Sequence, residues 1–563
     1  MSPHSMSKQL VFLSTLLHCL MMIVDGNQEQ SVYTNCNSGE SGLADLSMVV
    51  ANISSNDNSN STLYFQQGNH CLDSELSVSS LNLLLLSNNQ TSESANIICR
   101  GSTRLSFTNI SHLRISGLKF IGCSVMVKLV DQFILEDTMF DGENASSSAL
   151  ELNQTNTEIL GSSFESYTVG TYQKSVQFLV EVDHPYSLVH VLSHDAKVGG
   201  ALVVTNSNLT IINSHFAENS AQLGGAIFVE LGSSVIIDNC TFVGNSATGC
   251  TDDCCNGGAL FIDSGCTVMT HSSTFENNTS EFGGGAISLF RGTLEGIQNE
   301  FSSNRASSFG GSIFAHWSSN VYSDMSTFTS NEAGFNGGVM YADYLSSISV
   351  KNGTFHYNKA TMTTCTTNSN ISLAMDLDNA VSCFDSEAGF GGGAVYARFG
   401  STVAVENSNF NGNEAESDGG VMYATSNSSI TVDGSIFASN RARYGGGVVY
   451  VYYYSSIAIC NSQFSDSEAG NAGGVFHVFY SSTLSVENST FNSNQAGYIG
   501  GVLHAFYFSR VTIDGSVFCN NNASYFGGVL YANYKCNITV YCSSFSNNSV
   551  NSCLLYTSDA ADE

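Results

Sequence analysis

The sequence predicts an all-β chain wound into a parallel β-helix of about 27 residues per coil, with three short strands in each coil. Three observations predict it. The second glycine of a Gly-Gly pair falls at 200, 225, 258, 285, 311, 338, 393, 420, 447, 474, 501 and 528, and from 393 onward the spacing is 27 every time. A Phe follows in each unit at 216, 242, 275, 301, 328, 355, 410, 437, 464, 491, 518 and 545, with an offset of 17 in nearly every unit. Proline is almost absent, at two residues in 563, as expected where nearly every backbone N–H pairs with a neighbouring strand.

Each unit divides into three strands. An apolar run such as Val339-Met340-Tyr341 follows Gly-Gly, alternation such as Ile348-x-Val350 comes next, and Ser-x-Phe, as in Ser408-Asn409-Phe410, closes the set. A single unit cannot bury its own apolar positions, whereas stacked units can. Stacking sets equivalent residues roughly 4.8 Å apart, so each sequence column becomes a ladder. The Phe column is expected as an aromatic spine inside the coil. Asn219, Asn245, Asn304, Asn331, Asn358, Asn413, Asn440 and Asn494, three residues after their Phe, are expected at turns, bridging adjacent coils. Gly-Gly is expected at a tight bend.

Around this repeat the chain divides into four parts. Residues 1–26 read as a signal peptide, with Lys8 ahead of the apolar run Leu10–Val24. Residues 27–198 are expected to form an N-terminal cap and irregular coils with Phe120, Phe140 and Phe164 on the spine, plus a projecting loop at 168–198 around Pro185. The regular coils of 199–550 carry insertions at 248–256 and 361–386, both between the Asn turn and the next Gly-Gly. Residues 553–563 break the pattern and resemble a translated sequencing adapter, so the chain is expected to be truncated inside or after its last coil, which leaves a C-terminal anchor or further domain open. Seventeen cysteines fit an oxidising compartment; Cys365 and Cys383 are expected to pair within their insertion, and the cluster at Cys250, Cys254 and Cys255 to form local disulfides rather than a metal site. Asn52, Asn208, Asn488 and Asn537 head glycan-acceptor tripeptides.

Gly224-Gly225-Ala226-Ile227 and Gly284-Gly285-Ala286-Ile287, with Phe216-x-x-Asn219 and Phe301-x-x-Asn304, resemble the repeats of polymorphic outer-membrane proteins. The stretch from Leu105 to Cys123 is similar to predicted extracellular β-helix proteins of invertebrate animals. The resemblance spans about residues 30–550 and implies a right-handed β-helix of the broad pectin-lyase-like group. Enzymes of that group cleave acidic polysaccharides, whereas bacterial proteins with the repeat carry a C-terminal membrane barrel that nothing here matches.

A net charge of −31 argues against nucleic acid and anionic lipid as partners. Catalysis is not expected: Arg291, Arg398, Arg441, Arg443 and Arg510 fall in different columns, and no paired carboxylates stand out. Neither a metal, including one held by His477 and His504, nor a cofactor is expected. The best binding candidates are the aromatic column three residues after Gly-Gly, namely Tyr341, Tyr396, Tyr423, Tyr450, His477, His504 and Tyr531. The strand face carrying it is expected to meet solvent, because Glu230, Asp263, His316, Asp343 and Arg398 lie two residues further along. The expected function is extracellular recognition or adhesion toward a glycan or protein. A polysaccharide lyase or hydrolase is the alternative, and a structural matrix component the third. Secretion or cell-surface display is expected, with membrane attachment only through a segment beyond the tail.

Overall fold

The computed structural model describes residues 27–32, 60–65, 68–72, 75–79, 81–88, 95–99, 104–142, 147–167, 174–179, 191–250, 255–361, 391–550 and 556–557. They form a right-handed parallel β-helix, with no helical segment among the described residues. One coil shows the plan. Its strands are Met340–Ala342, Ser347–Lys351 and Thr354–His356, followed by a two-residue strand, Lys359–Ala360, that the sequence pattern does not announce. Nearer the N-terminus the first two strands run together, as in Arg104–Ser116, Ser124–Glu136 and Leu150–Leu160. Lys174–Leu179 and Val191–Ala196 pair antiparallel, the one exception to parallel pairing among the described strands.

Register never slips in the regular coils. Met340 pairs with Ile313 above and Val395 below, although a longer unit separates 340 from 395. The reason lies inside. The Phe spine stacks without a break from Phe120 to Phe545, with centroid separations between 4.5 and 5.0 Å. A slip by one residue would turn every such ring outward. Opposite the spine, Ile313, Met340, Val395, Met422, Val449 and Leu503 complete the core.

Polar ladders lock the corners. Asn331 Nδ2 donates to Phe301 O at 2.9 Å and to Asn358 Oδ1 at 3.0 Å, and the Asn331 backbone N–H donates to that same Oδ1 at 2.9 Å. The pattern repeats at Asn358 and Asn413, so each buried amide is satisfied by the coil beyond and the coil before. Two further corners carry Ser ladders, in which each backbone N–H donates to the next hydroxyl. One runs through Ser401, Ser428, Ser455 and Ser482, the other through Ser408, Ser435, Ser462 and Ser489.

The two glycines of each pair are required for different reasons. Gly337 has φ +65°, and a Cβ there would lie 2.3 Å from Met340 O. A Cβ on Gly338 would lie 2.1 Å from Gly393 O of the next coil. The bend is left-handed at the first position and closely stacked at the second.

Cys250 pairs with Cys255 inside the first insertion, and Cys99 with Cys123 across N-terminal coils. The 361–386 insertion, with Cys365 and Cys383, falls almost wholly outside the described residues, as do the signal segment and most of the tail. Of the tail, Tyr556–Thr557 lies beside Tyr531-Ala532 as a parallel pair.

Candidate functional site

The aromatic column after Gly-Gly forms a ladder, but it is not on the surface. Tyr341, Tyr396 and Tyr423 are 1, 2 and 1% exposed, and His504 is buried as well. Their rings stack at 5.0 Å between Tyr341 and Tyr396 and at 4.8 Å down to Tyr423 and Tyr450. The column continues through His477 and His504, at 4.8 and 4.6 Å, to Tyr531 at 5.6 Å. Tyr450, His477 and Tyr531 are partly buried.

The cover is the chain's own approach to the glycine bend. Residues two before the second glycine form a line of parallel bridges, Gly283–Phe309–Asn336 in one stretch and Gly445–Ala472–Ile499–Phe526 in another. This line lies over the rings. Phe309 sits 4.7 Å from Tyr341, and a Cβ on Gly391 would touch the Tyr423 ring at 3.1 Å. Solvent exposure of this column is therefore corrected: the outer face of the first strand is roofed. The charges that suggested an open face lie along its margin, where they meet a hydroxyl or an opposite charge. Glu230 accepts from Thr205 Oγ1 at 2.7 Å, while Asp343 lies 3.5 Å from His316 Nδ1 and 3.7 Å from Arg398 Nε.

Burial raises the Tyr341, Tyr423 and Tyr450 hydroxyls well above the ordinary phenol range. It pushes Asp418, in the roof line, up to about 6, although Gly445 N–H and Ser417 Oγ donate to its carboxylate. It pushes His504 down to about 4, and His477, whose Nε2 meets His504 Nδ1 at 3.0 Å, well below the usual imidazole value. The two imidazoles are neutral partners within a stack. No group of three or more His, Cys, Asp or Glu is arranged to hold a metal among the described residues.

A longer exposed aromatic ladder lies three residues further on, at the turn after the first strand. Tyr453, Tyr480 and Tyr534 are 46, 43 and 49% exposed, and Tyr507, in the same column, is partly exposed. Successive centroids are 6.0, 5.5 and 4.8 Å apart. Tyr452, Phe479 and Phe506 stack beside them at 5.6 and 5.2 Å, and Tyr454 and Phe508 project on the other flank. Nearer the N-terminus the same column holds Trp317, Tyr344 and Phe399, stacked at 4.5 and 4.7 Å. Arg398 lies over the Phe399 ring at 4.0 Å. Ser426 interrupts the column between the two patches.

Every aromatic member of this column has positive φ, from Tyr344 at 44° to Tyr480 at 54°. Bulky residues are seldom found there. The 27-residue spacing of 453, 480, 507 and 534 was visible in the sequence. What could not be read was that a strand of three residues ends so early that its outward ring is covered and the turn ring is not.

Residues 190–333 match a family model described as right handed beta helix region. No curated protein matches. Solved structures with a similar fold include a PL6 alginate lyase in complex with a trisaccharide, 8% identical over 83% of this chain and 87% of that one, with a TM-score of 0.28. A mannuronic acid specific polysaccharide family 6 lyase from human gut microbiota is 7% identical over 82 and 86%, with a TM-score of 0.25. The A-module of the mannuronan C-5 epimerase AlgE6 from Azotobacter vinelandii is 10% identical over 90 and 96%, with a TM-score of 0.20.

Proposed function

We propose that this chain is a secreted or cell-surface, non-catalytic recognition scaffold that binds an extended glycan along the column Tyr453, Tyr480, Tyr507 and Tyr534. One observation carries the reading: four successive coils hold a large ring exposed in left-handed backbone. Each such residue costs on the order of 1–2 kcal/mol relative to glycine. Ser426, at φ 55° in the same column, indicates that the turn itself needs no ring. Strain retained four times at the surface is best explained by what the rings meet. Their repeat along the coil axis, near the strand spacing of about 4.8 Å, is close to one sugar residue's length. A sugar chain lying along the axis meets one ring edge and one Tyr hydroxyl per step, since neighbouring rings pack against one another. The likeness of the repeats to those of polymorphic outer-membrane proteins supports an extracellular setting.

The test is a combined glycan and protein array probed with wild type and with the triple variant Tyr453→Ser, Tyr480→Ser, Tyr507→Ser. Retention on glycans by the wild type, lost in a triple variant with unchanged melting, is the expected result. Equal binding by both would remove the site from this column, and retention on proteins alone would replace the glycan.

One observation favours a second reading, a polysaccharide lyase. His316, Asp343 and Arg398, from three successive coils, converge beside Trp317 and Tyr344. The unit holding Asp343 is the one interrupted by the 361–386 insertion. An imidazole and a guanidinium that share one carboxylate offer a base and a stabiliser for developing negative charge. Turnover of a polysaccharide by the wild type, abolished by His316→Ala, would overthrow the non-catalytic reading.

A further inference from the structure

We propose that Asn427 carries an N-linked glycan that fills the gap in the aromatic band and separates its two patches. The proposal rests on the extracellular reading above, since the modification requires passage through the secretory compartment. Asn427-Ser428-Ser429 is an acceptor tripeptide. It falls in the one coil between Phe399 and Tyr453 whose turn carries no ring, with Ser426 in the place of the aromatic.

The geometry suits attachment. Asn427 is exposed and sits at φ +63°, a conformation asparagine tolerates better than most residues. Its backbone N–H donates to Tyr453 O at 3.1 Å, which fixes the turn and leaves the side-chain amide to project from it. Ser428 is buried in a corner ladder, while Ser429, whose hydroxyl completes the motif, is partly exposed. The contrast with another tripeptide is instructive. Asn278-Thr279-Ser280 has the same form, but Asn278 is fully buried and its Nδ2 donates to Phe242 O and Asn304 Oδ1, both at 3.0 Å. That amide belongs to the fold.

In the next coil the equivalent position is Tyr454, 57% exposed, beside Tyr453. The first sugars on Asn427 therefore emerge within one coil step of both rings and can lie over them. A ligand then meets Tyr480, Tyr507 and Tyr534 directly and shares Tyr453 with the sugars on Asn427, and continuous passage to Phe399 and Trp317 is blocked.

The experiment uses the full chain secreted from eukaryotic cells, treated with peptide N-glycosidase in oxygen-18 water and mapped by mass spectrometry. Labelled Asp at 427, together with label at Asn208 and Asn488, is expected. Label at 208 and 488 but not at 427 would overturn the proposal alone. Absence of label at all three would overturn the secretory reading and this proposal with it. The second measurement compares iodination of wild type with that of Ser429→Ala, which keeps Asn427 but removes the motif. Tyr453 and Tyr454 should react several-fold faster in the variant, while Tyr534, three coils away, reacts equally in both. Equal rates at Tyr453 and Tyr454 would refute the capping of the band.

Discussion

A buried phenylalanine and a buried asparagine do different work in each coil, and single substitutions separate them. Phe464 is 1% exposed and lies between Phe437 and Phe491, at 4.7 and 4.9 Å. Phe464→Ala should cost about 3–5 kcal/mol. Stacked coils need not unfold as one unit, so hydrogen exchange at residues 437–491 is the measurement, and unchanged protection would contradict the interior assignment. The Asn ladder has a natural interruption at Ser467, which offers no side-chain carbonyl to the N–H groups of Asn440. Ser467→Asn should therefore stabilise the chain, by about 1 kcal/mol for the restored hydrogen bonding. A lower melting temperature would show that the site had adapted to serine.

The buried ladder also fixes a pH dependence. His504 titrates at about 4 when folded against 6.5 unfolded, so its contribution to stability is full above about 6.5 and is lost as pH falls through about 4. The loss amounts to about 3 kcal/mol. Asp418 acts in the opposite sense. Its folded value of about 6 exceeds the ordinary 3.8, so it favours the folded state at low pH and loses that contribution as pH rises through about 6. Denaturant midpoints measured from pH 7 to pH 4 should thus fall more steeply in Asp418→Asn and less steeply in His504→Tyr. Parallel curves for all three proteins would mean that neither group is held as described.

At the scale of the strand, the sequence was legible wherever one residue type recurs for one reason. The Phe spine and the glycine bends are of this kind, because only a ring fills that part of the core and only glycine fits both bend positions. The Ser ladders were not legible, since Ser401 or Ser428 reads as one more serine in a chain rich in them. The roof line was less legible still. Its occupants are Val198, Leu223, Asn256, Gly283, Phe309, Asn336, Gly391, Asp418, Gly445, Ala472, Ile499 and Phe526, which share no chemistry. Their common property is position, and position emerges only once the glycine bend is folded. Without the roof, Tyr396 reads as a surface residue, and Asp343 and Arg398 point the same way. The rule that unpaired charges avoid a dry interior was sound, but these charges are paired with each other at its margin.

Across the whole molecule, identical coils allow length to change without a change of register. Tyr341 stacks on Tyr396 across the 361–386 insertion with an interplanar angle of 3°. Deleting the insertion so that the 27-residue spacing is restored should leave the melting curve and β-sheet circular dichroism unchanged. Loss of sheet signal would make the insertion part of the fold. The same regularity sets two aromatic ladders side by side, three residues apart in sequence, one roofed and one open. Which ladder meets solvent decides which residues can meet a ligand. Hydroxyl-radical footprinting of the native protein, read out by peptide mapping, tests this most directly. Tyr480 and Tyr534 should be oxidised rapidly, and Tyr341, Tyr396 and Tyr423 protected until the chain is unfolded. Rapid oxidation of Tyr396 and Tyr423 in the folded protein, with Tyr480 and Tyr534 protected, would contradict the assignment and return the binding face to the first strand.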